Sequence, residues 1–262
     1  MESYTYPDEN DFLTKRFIAA FEESDKYWIQ SEDAVIELIK AQILANNSNR
    51  TKSFLDAGCG NGRLIPRFTA FFDKIVAIDP DPLRIANASE LIKSLGMEHK
   101  TTFYHSLAEN FSSDIKFDFI LCSHVIQHIH TFSVKKLLKN LKAHLKEDGI
   151  MAITTCHSKR KYDQYFKNYL PDGKFAIEKI NKVEYNLLVD GKGILPIHYF
   201  NSNALIKMLH EINLETFDFR VFHVDKDDRV KMHYNDIDAF VNENNHRQNL
   251  YGVDMCFIVR QL

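Results

Sequence analysis

Three glycines at alternate positions mark the stretch of the chain best suited to hold a ligand. Gly58, Gly60 and Gly62 follow an apolar run that contains Asp56, and a helix is predicted directly behind them. Glycine takes a positive φ without steric cost, and the first N–H groups of a helix have no partner within that helix. The stretch therefore predicts a turn whose backbone comes close to a nucleotide-type ligand.

The spacing of the glycines separates two kinds of nucleotide turn. A dinucleotide turn has the pattern G-x-G-x-x-G, which would place its third glycine where Arg63 stands. Asp79 closes the next apolar run, about 20 residues after the first glycine, where a carboxylate can accept from both hydroxyls of a ribose. The alternative role for Asp79 is the N-cap of the helix that follows it.

A strand, a G-x-G-x-G turn, a helix and a strand-end acid together resemble the class I S-adenosylmethionine-dependent methyltransferases. The resemblance implies a Rossmann-like, doubly wound α/β fold. Its sheet would be mostly parallel and seven-stranded, with an antiparallel C-terminal strand. We expect two additions to this fold, an N-terminal helical cap and a lid inserted after the fifth strand. The implied cofactor is S-adenosylmethionine.

The resemblance also implies roles for individual residues around the cofactor. Asp56 would accept from the ammonium group, Arg63 would bind the carboxylate, and Asp79 would bind the ribose. Glu109 is a further candidate for the adenine amino group, or else an exposed helix residue. The full set of expected cofactor-binding residues is Asp56, Gly58, Gly60, Gly62, Arg63, Asp79, Pro80, Leu107, Ala108 and Ser123.

Histidines follow the fourth and fifth predicted strands, at the edge where open α/β sheets bind ligands. His128 is the first candidate for a general base and His157 the second, with His124 as a further catalytic candidate. The alternative for His128 is a structural histidine bonded to the backbone. A metal site at His124, His128 and His130 would lack a nearby carboxylate or cysteine ligand, so we expect no metal.

Composition narrows the class of protein. The chain has 262 residues and a formal net charge of −3, without the excess of lysine and arginine typical of nucleic-acid-binding proteins. It contains no run of roughly 18 apolar residues and its first residues are polar and acidic. The four cysteines show no C-x-x-C spacing and are expected to be reduced. We expect a cytoplasmic protein without membrane or nucleic-acid partners, as a monomer or homodimer.

Hydrophobic periodicity predicts alternating strands and helices in one methyltransferase domain, residues 1–262. Its parts are a helical cap (1–50), a cofactor-binding core (51–157), a lid (158–200), and a C-terminal helix and hairpin (201–262). A helix opened by Ser31 is predicted within the cap. The predicted strands are 53–57, 74–79, 101–106, 117–122, 149–155, 214–224 and 253–260, and the predicted helices of the core and C-terminal part are 62–72, 82–95, 132–145 and 203–212.

The predicted lid combines cations and aromatic rings near the expected acceptor pocket. Lys159, Arg160 and Lys161 precede several tyrosines, which would suit a small anionic or aromatic molecule. The alternative is an amphipathic helix with a solvated basic start. Further along, 183–189 and 194–200 are predicted as two strands about a glycine turn. The lysines of 135–146 are predicted to be the solvated face of a core helix.

A second, more local resemblance connects Tyr27-Trp28-x-Gln30, the glycine turn and Val125-Ile126-x-His128 to the protein α-N-terminal methyltransferases. That family places an asparagine where this chain has His157, and it lacks the insertion at 158–200. The favoured function is therefore methylation of an N or O nucleophile on a small molecule. A peptide or RNA methyltransferase is the alternative, and a non-catalytic cofactor-binding subunit, with 225–252 as a docking surface, is the third.

Overall fold

The computed structural model describes residues 26–46, 52–174, 176–190, 193–224 and 252–262. Several predictions concern residues that lie wholly or partly outside these ranges. The amphipathic stretch expected within 12–21, a short helix expected at 236–241 and the segment 225–251 lie outside the described residues, as do residues 191 and 192 of the expected glycine turn.

Ten strands and six α-helices make up the described chain. The strands are β1 (Ser53–Ala57), β2 (Lys74–Asp79), β3 (Thr101–His105), β4 (Phe117–Ser123), β5 (Leu145–Cys156), β6 (Gln164–Tyr169), β7 (Ala176–Ile180), β8 (Leu195–Tyr199), β9 (Leu214–Val224) and β10 (Gly252–Gln261). The helices are α1 (Lys26–Ala45), α2 (Ile65–Phe68), α3 (Pro82–Ser94), α4 (Val134–His144), α5 (Lys182–Leu188) and α6 (Ser202–Glu211). Short 3₁₀ turns occur at Thr69–Phe71, Glu98–Lys100 and Pro171–Gly173.

Seven strands form the central sheet in the order β3-β2-β1-β4-β5-β10-β9. The pairs among β1 to β5 are parallel, whereas β10 runs antiparallel to both β5 and β9. The order reverses beside β1, so the carboxyl ends of β1 and β4 border the crevice where ligands bind in such sheets. The predicted Rossmann-like fold class is confirmed.

Apolar side chains cover both faces of this sheet. One face carries four phenylalanine rings in mutual contact, Phe54, Phe68, Phe72 and Phe119, with ring centroids 5.2–5.8 Å apart. On the other face, α4 buries Val134, Leu137, Leu138 and Leu141 and turns its lysines outward, as predicted. A stripe of apolar residues at helical spacing thus fixes which face of α4 meets the sheet.

Two helix predictions are wrong at their boundaries. Helix α1 begins at Lys26 rather than at Ser31. Ser31 is fully buried and its hydroxyl oxygen accepts from the N–H of His223 at 3.0 Å, so a tertiary contact uses the oxygen expected to cap the helix. The helix expected over 62–72 shrinks to α2 and a 3₁₀ turn, because the glycine turn continues to Leu64 before the first helical residue.

The segment after β5 forms a small sheet of its own, in the order β7-β6-β8, with α5 beside it. The strand predicted at 183–189 is wrong. Asn181 caps α5 by accepting from the N–H groups of Val183 and Glu184, and Tyr185 packs with Val189 at helical spacing. The amphipathic helix considered for the start of the segment is also wrong, because Gln164–Tyr169 is strand β6.

None of the helices in the described ranges combines the length and the apolar character that crossing a membrane requires.

Candidate active site

The glycine turn at the end of β1 is built from three residues with positive φ. Gly58, Gly60 and Gly62 have φ values of 84°, 52° and 80°. A Cβ on Gly58 would lie 2.2 Å from Val125 Cγ2, and one on Gly62 would lie 3.0 Å from Ala88 Cβ. Packing therefore requires glycine at both outer positions, whereas a Cβ on Gly60 would meet only Arg84 Nη1, at 3.4 Å, among the described atoms.

Asp79 connects the glycine turn to the end of β2. Its Oδ2 accepts from the Gly60 N–H and its Oδ1 from the Asp81 N–H, both at 2.9 Å. Asp81, not Asp79, is the N-cap of α3, since its side chain accepts from Leu83 N–H at 2.9 Å. The capping alternative for Asp79 is thus wrong. Burial raises the pKa of Asp79, although both N–H donors and the Arg84 guanidinium oppose the shift.

Asp56 lies beneath the turn with a carboxylate that is incompletely bonded. It is 2% exposed, and its Oδ2 has no hydrogen-bond partner among the described residues. Burial, and then the neighbouring charge of Asp79, raise the pKa of Asp56 to about 7, while Arg63 opposes this. A buried carboxylate oxygen without a donor is unfavourable, so a cationic ligand at this position would stabilise it. The site therefore fits the ammonium group of S-adenosylmethionine.

Arg63 is engaged with the N-terminal helix. Its Nη1 and Nη2 lie 2.6 and 2.9 Å from the two carboxylate oxygens of Glu32 in α1. Next to this pair, Arg67 Nη2 lies 2.7 Å from Asp33 Oδ1. These contacts hold α1 against the turn. The expected contact of Arg63 with a cofactor carboxylate stays a prediction.

Arg84 joins this site without having been singled out by any sequence pattern. It belongs to the first turn of α3, yet it is only 3% exposed. Its Nε lies 3.7 Å from Asp81 Oδ2, and its charge acts on the pKa values of both Asp79 and His128. A basic residue at a helix start is ordinarily solvated, so its chain position alone gave no signal.

The remaining expected cofactor residues lie at or after the ends of β2, β3 and β4. Ala108 is buried and Leu107 half-buried, and the Ala108 carbonyl accepts from Asn140 Nδ2 at 2.8 Å. The Pro80 carbonyl lies 2.6 Å from His105 Nε2. Ser123 Oγ lies 2.8 Å from Thr154 Oγ1. Adenine recognition by the backbone of 107–108 stays a prediction.

Gln127 organises the loop that follows β4. Its Oε1 accepts from the Cys156 N–H at 2.9 Å and from Thr155 Oγ1 at 3.2 Å, and it lies 3.2 Å from His124 Nδ1. Its Nε2 lies 3.2 Å from His128 Nε2. Gln127 is 4% exposed, and its contacts with Cys156, Thr155 and His128 are buried. The side chain fixes both histidines relative to β5.

His128 is a buried, neutral histidine. Its Nδ1 lies 3.0 Å from the Pro196 carbonyl, and its Nε2 faces the Gln127 amide nitrogen. An amide nitrogen only donates, so these two contacts assign the proton to Nδ1 and the lone pair to Nε2. Burial lowers the pKa of His128 to about 4, with His124 and Arg84 adding to the shift and the Pro196 carbonyl opposing it. Its role as a base stays a prediction.

His157 lies at the end of β5, and the structure gives it a backbone partner. It is 3% exposed, and its Nδ1 lies 2.8 Å from the Gly252 carbonyl. Burial lowers its pKa, against the opposing effects of that carbonyl and of Asp254. The structure thus brings His124, His128 and His157 to one edge of the sheet.

The small sheet and α5 cover this edge, and we call residues 158–200 the roof. Tyr185 Oη donates to the carbonyls of Gln127 and Ile129, at 2.9 and 2.8 Å. The His198 N–H also donates to the Gln127 carbonyl, at 2.9 Å. The His198 ring lies between Phe200 and Tyr165, with centroids at 3.6 and 4.5 Å. Neither Tyr185 nor His198 was singled out as a site residue, because their positions depend on distant contacts.

Comparison with known proteins identifies relatives of this site and fold. The family model described as "Methyltransferase domain" matches residues 27–217. The ubiquinone biosynthesis O-methyltransferase of Rickettsia felis is 30% identical over 165 residues, which are 59% of this chain and 66% of the relative. That of Rickettsia akari is 27% identical over 199 residues, 68% of this chain and 78% of the relative. The chain thus spans just under two thirds of the Rickettsia felis protein.

Two solved structures share the fold over nearly the whole chain. An S-adenosylmethionine-dependent methyltransferase from Clostridium acetobutylicum superposes with a TM-score of 0.60 at 17% identity, covering 95% of this chain and 96% of that one. The 1,6-didemethyltoxoflavin-N1-methyltransferase of Burkholderia thailandensis, solved with bound 1,6-didemethyltoxoflavin and S-adenosylhomocysteine, superposes with a TM-score of 0.57 at 16% identity, covering 95% of this chain and 87% of that one. At such identities the likeness concerns the fold alone.

Proposed function

Because the chain belongs to the methyltransferase-domain family, we propose that it transfers a methyl group from S-adenosylmethionine to a small molecule. Family membership confirms the resemblance to class I methyltransferases predicted from the glycine turn. The accepting atom in this proposal is a hydroxyl oxygen of an aromatic molecule. The names of the Rickettsia relatives, all O-methyltransferases, favour oxygen over nitrogen.

The observation that carries the proposal is the pair of buried carboxylates at the glycine turn. Asp79 keeps further lone pairs for a ribose while two backbone N–H groups fix its orientation. Asp56 offers an unpartnered oxygen to an ammonium group. When bound, S-adenosylmethionine supplies a methyl group on a positively charged sulfur. The two carboxylates complement the cations and hydroxyls of that cofactor.

The roof supports a small acceptor rather than a long peptide. It covers the Gln127–His128 loop through Tyr185 and His198, which would restrict access to the edge of the sheet. Holding the acceptor oxygen in line with the methyl group is worth on the order of 7–11 kcal/mol. His128 is neutral near pH 7, and its Nε2 is the expected acceptor of the hydroxyl proton. The Gln127 amide nitrogen, which now faces Nε2, must first move away.

Calorimetry and an acceptor panel test the function. We expect the purified protein to bind S-adenosylmethionine and S-adenosylhomocysteine, and to leave NAD unbound. Formation of S-adenosylhomocysteine would then be measured with hydroxylated aromatics, aromatic amines and short peptides. Turnover of hydroxylated aromatics alone supports the proposal. Turnover of peptides alone would replace it with the peptide alternative, and cofactor binding without any turnover would favour the non-catalytic one.

A further inference from the structure

A second group of polar side chains meets at the same edge of the sheet, on elements distant in sequence. One donor atom from each of His124, Cys156 and Asp254 lies within 4.8 Å of the other two. His124 directly follows β4, Cys156 ends β5, and Asp254 lies in β10 directly opposite Cys156 in the strand register. Three strands of the central sheet therefore position the three side chains.

The donor set has the chemistry of a transition-metal site. Imidazole nitrogen, thiolate sulfur and carboxylate oxygen are the ligands that Zn²⁺ takes in proteins, at about 2.0–2.3 Å. Three ligands at such distances from one ion lie within 4.8 Å of each other, as these do. Cys156 and Asp254 are 8% and 7% exposed, so water does not compete strongly for the position.

Neighbouring groups orient two of these side chains. His223 Nδ1 lies 2.8 Å from Asp254 Oδ2, and Gln127 Oε1 lies 3.2 Å from His124 Nδ1. Hydrogen-bonded partners of this kind fix ligand orientation in metal sites. Within the cluster, the Cys156 side chain also hydrogen-bonds to the Asp254 carboxylate.

The backbone around the cluster adopts an uncommon conformation. His124 and His223 have φ values of 55° and 56°, in the left-handed region that costs a non-glycine residue energy. A cavity of about 20 Å³ beside His124 is lined mainly by apolar side chains such as Val35, Ile36 and Phe68, and neither Cys156 nor Asp254 lines it.

We propose that His124, Cys156 and Asp254 form a Zn²⁺ site with three protein ligands and an open fourth position. The expectation of no metal rested on the set His124, His128 and His130, which lacked a carboxylate or a cysteine. The fold supplies both from elsewhere in the chain. Ligation would release the Cys156 thiol proton to solvent as the sulfur–zinc bond forms. The proposal concerns metal binding and stands apart from the identity of the methyl acceptor.

Zinc titration against a chromophoric chelator tests the site on the full chain, first stripped of metal. We expect one Zn²⁺ per chain, and a loss of affinity greater than about 100-fold in Cys156→Ser and in Asp254→Asn. Cys256→Ser is the matched control. Cys256 lies two residues after Asp254 on the same strand, but it is packed among apolar side chains. Its variant should bind zinc like the parent.

Cobalt provides a second readout that needs no variant. Co²⁺ added to the parent protein should give the intense near-ultraviolet absorption of a thiolate–cobalt bond, which Zn²⁺ should then abolish. Parent protein that shows no such band, or that binds zinc no better than the Cys156→Ser variant, would overturn the proposal. Circular dichroism identifies any misfolded variant, and the cobalt spectrum of the parent then decides.

Discussion

The glycine turn lies on one side of the crevice, and the sheet edge that carries His124, His128 and His157 beneath the roof lies on the other. The two regions are stabilised in different ways. Contacts in the turn join residues close in sequence, such as Asp79 to Gly60, 19 positions apart. Contacts at the edge join distant ones: Cys156 to Gln127 across 29 positions, Tyr185 to Gln127 across 58 and His157 to Gly252 across 95. One half of the site is therefore local in sequence, and the other exists only after the whole sheet has formed.

The two halves also differ in charge. The turn holds two buried carboxylates whose pKa values are raised, and one oxygen of Asp56 has no hydrogen-bond partner within the part of the chain that the structure describes. The edge holds two buried histidines, His128 and His157, whose pKa values are lowered and whose Nδ1 atoms each lie within hydrogen-bonding distance of a backbone carbonyl. The turn is thus prepared for a cationic cofactor, and the edge for an uncharged acceptor. Substitutions should affect cofactor binding and methyl transfer separately.

The largest effect is expected at the edge. Replacing His128 by Ala should lower the maximal rate by about 10²–10⁴-fold while leaving cofactor affinity unchanged, because the proton acceptor is lost and the turn is not touched. The parent rate should rise as pH passes about 4, where burial places the pKa of His128, and should stay level above it. The variant should lack that rise.

His99→Ala is the control for this measurement, since His99 is exposed and its ring lies within hydrogen-bonding distance of the nearby Gly96 carbonyl. The measurement is the steady-state rate as a function of pH for the parent, His128→Ala and His99→Ala. A His128→Ala variant that keeps the parent's rate and pH profile would show that His128 has a structural role, and His124 and His157 would then be the remaining candidates for the base.

The sequence predicts the glycine turn better than it predicts the histidine edge. The turn, Asp79 and strands β1, β2 and β9 are predictable because glycine spacing and apolar runs depend on nearby residues. The prediction of a strand at α5 is wrong because the apolar residues there are compatible with both the strand and the helix periodicity. The helix is favoured by the Asn181 cap and by the hydrogen bond from Tyr185 to the Gln127 carbonyl. Arg84 and the Asp254 cluster depend on packing between distant segments, which no single-sequence pattern encodes.

The cofactor half provides the second prediction. Replacing Asp79 by Ala would remove the proposed acceptor for two ribose hydroxyls and leave the half-buried Gly60 N–H without this partner. Each charge-assisted bond contributes roughly 1.5–3 kcal/mol before water compensates, so S-adenosylmethionine should bind about 100-fold more weakly. Calorimetry measures this, with Glu90→Gln on the exposed side of α3 as the control. Unchanged affinity would contradict the proposed ribose contact.

A third prediction separates stability from cofactor binding at Asp56. The folded pKa, about 7, exceeds the ordinary value near 3.8, so the folded protein holds a proton that the unfolded chain releases. Stability should therefore fall as pH rises from about 4 to 7 and then level off. The stability of Asp56→Asn should not fall in this pH range. At pH 8 its free energy of unfolding should exceed that of the parent by up to about 4 kcal/mol.

The same Asp56→Asn variant should bind S-adenosylmethionine less well, because an amide offers the ammonium group no charge. Urea unfolding at several pH values, with and without cofactor, measures both effects. Asp73→Asn, at an exposed position just before β2, should follow the parent throughout. A destabilised Asp56→Asn protein at pH 8 would show that Arg63 compensates the Asp56 charge more fully than burial penalises it.

The smallest effect is expected where the roof meets the edge. Tyr185→Phe keeps the buried ring but removes the hydroxyl that donates to the Gln127 and Ile129 carbonyls. Losing these bonds should cost about 1–3 kcal/mol of stability and lower kcat/KM for the acceptor roughly tenfold, because the loop bearing His128 is held less firmly. Cofactor affinity should stay at the parent value, since the turn lies on the other side of the crevice. Tyr162→Phe is the matched control, because Tyr162 is an exposed tyrosine of the same roof. Equal acceptor kinetics in all three proteins would mean that the roof covers the edge without positioning it, and the contrast between the two halves would then rest on the histidines alone.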